Sequence, residues 1–186
     1  MNAYHWLQLN MTAGYGSEPA WTVPETRSLP DTVALQLCRV GYHSSPTLFD
    51  GLQYAPGPIA CLVDVSEPVE RDATKQVSRS RTLLAAVDVS RELRLFAADC
   101  AEHIYEAAHP GNERPRKAIA TARAFANGEA TLEELRAAAD AAFVYAYATA
   151  RATNAAFATA FATERQWQRA RFDEIVLPAL MARVTQ

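Results

Sequence analysis

An α+β fold is expected for this chain: a small N-terminal region of mixed or antiparallel sheet with one short helix, then a bundle of Ala-rich helices. Three observations predict it. Short β-favouring runs such as Ile59 to Val65 (IACLVDV) are confined to the first half, where Gly and Pro punctuate them. From Ser90 onward the periodicity turns helical, with strong start and stop signals. Alanine dominates the second half, favouring helix by propensity while burying little area per residue. The boundary falls at 88/89, giving an α+β subdomain over 1–88 and a helical one over 89–186, with only Asp88-Val89-Ser90 between sheet and helix.

Taken in order, Ala3 to Leu9 reads as a strand, and Asn10 to Pro30 as a loop holding a short strand at Trp21-Thr22-Val23. Val33 to Val40 (VALQLCRV) has strand character, and Gly41 marks a turn or a close backbone approach. Ser45 is the expected N-cap of a short helix, PTLFDGLQY, with Pro46 at its first position; Ala55-Pro56-Gly57-Pro58 ends it. Ile59 to Val65 is an apolar strand, and Pro68 to Arg71, Gln76 to Arg79 and Thr82 to Val87 are further short ones.

The helical half is more sharply marked. A helix from Ser90 stops near His109 because Pro110-Gly111 cannot continue it. Asn112 caps the next helix, Pro115 sits in its first turn, Ile119, Ala122 and Ala126 form its apolar stripe, and Gly128 supplies a left-handed end. Thr131-Leu132-Glu133-Glu134 is a capping box. The large residues beyond it (Leu132, Leu135, Phe143, Tyr147, Phe157, Phe161 and Trp167) are core candidates among many alanines, and Pro178 breaks or kinks the last helix.

Bulk properties exclude several function classes. A net charge of −3 gives no basic excess for sequence-independent nucleic-acid binding. No apolar run reaches the roughly 18 residues of a membrane span, and MNAYHWLQLN has no signal-peptide pattern, so a cytoplasmic location is expected. Cys38, Cys61 and Cys100 are odd in number and lack metal-ligand spacing; buried reduced thiols, no metal and no cofactor are expected.

The run from Asp99 to Ala142, with its Cys-Ala-Glu opening, Arg-Pro-Arg-x-Ala-Ile turn-to-helix and Ala-Arg-x-Phe-Ala-x-Gly helix end, resembles a family of bacterial immunity proteins associated with polymorphic toxins. The later ERQWQRARFDEIV resembles that family's closing helix. The resemblance implies a non-enzymatic protein-binding inhibitor that neutralises a toxin, or a defence or counter-defence component as in phage defence, by stoichiometric binding. Arg114, Arg116, Lys117 and Arg123 are the candidate partner-binding residues; a homodimer is left open. GYHSSPTLFDGLQYAPGPIACLVDV is similar to an uncharacterised phage and bacterial N-terminal domain.

The alternative is an enzyme with its pocket in the first half. His5 and His43 each stand beside an aromatic on a strand, and with Ser44 and Tyr54 they form a weak catalytic set. That pattern is loosely similar to ADP-ribosyltransferase-like or other nucleotide-binding enzymes, with Glu67 or Glu70 as the acid by chain order only. Cys38 with His43 is a further couple, read as inert.

Overall fold

The computed structural model describes residues 1–68, 70–108, 113–138 and 157–184. The chain is α+β and divides into two compact units, Met1–Ser90 with Val176–Gln186, and Arg91–Ile175. Asn112, Pro110-Gly111, Phe143, Tyr147 and most of the alanine run lie outside the described residues.

The first unit is built on strands. β1 (Asn2–Leu7), β4 (Ile59–Val65), β7 (Ser80–Asp88) and β2 (Glu25–Ser28) form an antiparallel sheet in that order. A second sheet has the order β3 (Tyr42–Ser44), β6 (Gln76–Ser78), β5 (Glu70–Arg71). The two are joined where Tyr4 and Ser45 exchange backbone hydrogen bonds of 2.9 and 2.8 Å.

Period-two alternation decides what each face of the four-stranded sheet buries. Ala3 and Leu7 of β1, Ile59, Cys61, Val63 and Val65 of β4, and Leu83 of β7 gather in one apolar cluster with Trp21. Register carries His5 onto this face opposite Cys61, and Arg81 opposite Val65. The ladder shifts at Leu62/Val63, where Leu62 pairs with Ala85 and Val63 with Leu83, leaving Leu84 as the extra residue of a bulge. On the other face Trp6 donates from Nε1 to the Leu48 carbonyl at 3.2 Å, and a Cβ on Gly51 would lie 3.0 Å from the indole. That close approach seats α1 (Leu48–Leu52) against β1. The short helix α5 (Leu177–Val184) packs on β7 and β4, with Leu180 fully buried.

Several expectations are corrected in this unit. Val33 to Val40 is not a strand: it is a tight turn closed by Gln36 and Val40, with Cys38 at φ 68°. The 10–30 segment carries its strand at Glu25–Ser28 and not at Trp21-Thr22-Val23; Trp21 is instead a buried plug. The N-cap of α1 is Thr47, two residues after Ser45: its Oγ1 accepts from the Asp50 N–H at 3.1 Å and donates to Asp50 Oδ2 at 2.6 Å. Cys38 is exposed, whereas Cys61 is buried and its thiol is pushed up to about 12 by desolvation.

The second unit is helical. It holds α2 (Ser90–Ala108), α3 (Glu113–Ala126), a further helical stretch over 132–138, and α4 (Phe157–Ile175). The α3 end is the expected left-handed one: Gly128 has φ 79°, its N–H reaches the Phe125 carbonyl at 3.1 Å, and Glu129 N–H reaches Ala124 at 2.8 Å. The capping box also forms, with Glu134 N–H on Thr131 Oγ1 at 3.2 Å and Thr131 N–H on Glu134 Oε2 at 2.7 Å. Ala98, Tyr105 and Ile119 form a small core, and Phe96 meets Phe172 edge-on at 5.3 Å. Trp167, expected in the core, is only half-buried and stacks flat on the imidazole of His103 at 3.8 Å.

Candidate functional site

The four weak catalytic candidates, His5, His43, Ser44 and Tyr54, come from three separate stretches of chain and line one pocket of about 710 Å³ in the first unit. Arg81, Glu18, Cys38, Arg39 and Lys75 line it as well. Sequence reasoning missed Arg81; the one signal available for it was its placement at a position where the strand otherwise buries apolar residues.

Arg81 is almost completely buried, and desolvation pushes its guanidinium down to about 10, partly offset by the Glu18 carboxylate. Its Nη1 donates to the His43 backbone carbonyl at 3.0 Å, and its Nη2 lies 3.9 Å from Glu18 Oε2. The guanidinium lies 4.5 Å from the Trp21 ring centroid, and Arg27 is 4.1 Å from the same ring. Arg27 is itself held by Glu25, through a bond of 2.6 Å from Nε, and that contact draws the Glu25 carboxyl down to about 2. Tyr42 meets Trp21 edge-on at 6.0 Å.

His5 is the least satisfied group in the pocket. Its Nε2 is buried with no hydrogen-bond partner among the described residues, and the His43 backbone works against the burial by favouring the protonated ring. Burial first, then the charges of Arg81 and His43, hold its protonation well below the usual imidazole range, so the ring is neutral near pH 7. His43 is differently occupied. Its Nε2 accepts the Cys38 backbone N–H at 2.8 Å, bracing the left-handed turn, and burial lowers its pKa too. A neutral ring whose acceptor is already used is poorly placed to serve as a general base.

The remaining candidates sit nearer the surface or are engaged elsewhere. Ser44 Oγ accepts from Gln76 Nε2 at 3.2 Å, both residues being buried. Tyr54 is exposed at the rim; its hydroxyl meets Thr74 Oγ1 at 2.9 Å, and the Lys75 ammonium lies 4.5 Å from its ring centroid. Lys75 also contacts the Cys38 side chain, the main cause of its raised pKa. Neither Glu67 nor Glu70 lines the pocket; Glu70 accepts the Leu37 N–H at 2.9 Å. No group of His, Cys, Asp and Glu among the described residues is arranged to hold a metal ion.

In the helical unit, Arg123 is drawn into an internal network. Its Nη2 reaches Asp99 Oδ1 at 2.5 Å and Glu102 Oε2 at 2.6 Å, while Arg171 Nε takes the other Asp99 oxygen at 2.8 Å. Arg116 and Lys117 are exposed on α3. A shallow groove of about 290 Å³ is lined almost wholly by Ala97, Ala98, Ala101, Ala118 and their apolar neighbours, with Arg94 at its side over the Phe125 ring at 5.1 Å. No helix among the described residues is long and apolar enough to cross a membrane.

No curated protein matches this chain, and no solved structure does. Residues 86–164, most of the helical unit, match the family model described as Imm-5 like putative immunity protein, so this part of the chain is similar to an immunity-protein family.

Proposed function

We propose that the protein is an immunity-type inhibitor that neutralises a toxin by stoichiometric binding through its helical unit. The observation that supports this most is the coincidence of the family match with that unit. What the unit offers is surface: an alanine-floored apolar groove and the exposed cations Arg116 and Lys117. Small side chains let a partner's larger ones approach the helix backbones closely, and exposed cations steer an acidic partner toward them. The Arg123 guanidinium holds α2 and α3 together, committed to Asp99 and Glu102.

The test is co-expression with a panel of polymorphic-toxin domains that arrest growth when expressed alone. Rescue of growth together with a defined complex by size exclusion and light scattering supports the reading. The double charge reversal Arg116→Glu, Lys117→Glu slows association by tenfold or more at low salt. Rescue without a complex, or consumption of a small molecule over many turnovers, overturns it.

A further inference from the structure

We propose that the pocket of the first unit is a nucleotide site, in which His5 Nε2 and the Arg81 guanidinium read the planar donor–acceptor edge of a base or carboxamide and the cations at its mouth hold phosphate. This concerns a different unit from the immunity reading and stands or falls independently of it.

Arg81 Nη1 donates to the His43 backbone carbonyl at 3.0 Å, and Arg81 and His5 both line the pocket. His5 Nε2 is buried without a hydrogen-bond partner among the described residues, and in the neutral ring with its proton on Nδ1 it carries a lone pair and can only accept. Arg81 can only donate; between the Trp21 and Tyr42 rings its Nη2 lies 3.9 Å from the Glu18 carboxylate, too far for a hydrogen bond. A buried acceptor left without a donor is costly, and a ligand that supplies the donor relieves that cost. An acceptor beside a donor is complemented by a flat edge bearing an N–H next to a carbonyl or ring nitrogen. Nucleobases and carboxamides present that edge; sugars and aliphatic acids do not.

The rest of the pocket fits the remainder of such a molecule. Tyr4, Tyr42 and Tyr54 supply aromatic surface for a planar ring. Arg39, Lys75 and Arg81 face Glu18 alone among acidic lining residues, a cationic balance on a chain whose net charge is −3. The volume, about 710 Å³, lies within the usual range for cofactor-sized ligands.

Isothermal titration of the full chain with AMP, GMP, UMP, CMP and NAD⁺, and with ribose 5-phosphate as the baseless control, tests this. At least one nucleotide is expected to bind with Kd below about 100 μM, and ribose 5-phosphate at least tenfold more weakly. His5→Phe keeps a flat ring but removes the acceptor, and weakens binding tenfold or more. Lys75→Ala, at the partly exposed mouth, weakens it several-fold. Should His5→Phe not fold, the ¹⁵N resonance of His5 Nε2 in the unaltered chain carries the test, and must move on nucleotide addition. The proposal is overturned if no nucleotide binds at millimolar concentration, if ribose 5-phosphate binds as tightly as the nucleotides, or if neither His5→Phe nor the His5 resonance responds.

Discussion

Arg81, on the central face of one sheet, donates through Nη1 to the backbone carbonyl of His43, on the edge of the other, at 3.0 Å. With Trp21 and Tyr42 against the guanidinium, this contact ties the two sheets of the first unit together. Arg81→Met keeps the apolar stem but removes the fork, leaving the carbonyl and Glu18 without their cation. A loss of about 2 kcal/mol is expected, read by urea denaturation. Arg81→Lys does not restore it, since an ammonium cannot bridge the carbonyl and the carboxylate while lying flat on the indole.

The two pocket histidines make the stability of the first unit pH-dependent. Both folded-state pKa values lie below the ordinary imidazole value of 6.5, chiefly through burial. The unfolded chain therefore binds protons first as pH falls. Their contribution is complete above about pH 7 and is lost as pH drops through 6.5 toward the folded values. Each titrating ring adds at most about 1.4 kcal/mol per pH unit. His5→Phe, removing the histidine with the larger shift, lowers that slope below pH 6.5, as measured by urea midpoints across the range; an unchanged slope contradicts the assignment.

Gly41 has φ 129°, and a Cβ there would stand 2.3 Å from Cγ2 of the fully buried Val77. Gly41→Ala meets backbone strain and a core clash together. It costs about 2–3 kcal/mol, and the accompanying Val77→Ala relieves only the clash.

Asp99 serves Arg123 and Arg171 at once and is the most buried member of that network, its side chain 12% exposed. Asp99→Asn leaves the two arginines to Glu102 and Glu174. The arginines themselves are about one-third exposed, so the loss is near 1 kcal/mol, a Tm fall of roughly 2–4 °C. It shrinks in 0.5 M salt, where exposed charges are screened.

Removal of the Thr131 hydroxyl tests the other helix signal. Thr131→Ala deletes the acceptor of the Glu134 N–H and costs about 1 kcal/mol, seen as faster amide exchange over 132–135.

What could be read from the chain was what local chemistry decides. Thr131 with Glu134, Gly128, Pro178 and the apolar Ile59–Val65 strand each carry their structural instruction within a few residues, and each forms as expected. Where the deciding contact leaves no mark in the residue pattern, the reading failed. Val33 to Val40 has strand-forming residues, but the His43 ring caps Cys38 and Gln36 bonds Val40, and the turn wins. Trp21 looked like strand because nothing nearby reveals the two arginines that enclose it. The pocket was half-legible: His5, His43, Ser44 and Tyr54 were singled out by their neighbours in sequence. Arg81 was not, because an arginine amid SRTLLAAV looks like any solvated strand residue until the fold buries it.

The first unit is discontinuous along the chain, since α5 joins Met1–Ser90 only after the helical segment has been traversed. On a translating ribosome the sheet is therefore made early but lacks Val176 and Leu180, both fully buried in the finished unit, until the whole helical segment has been synthesised.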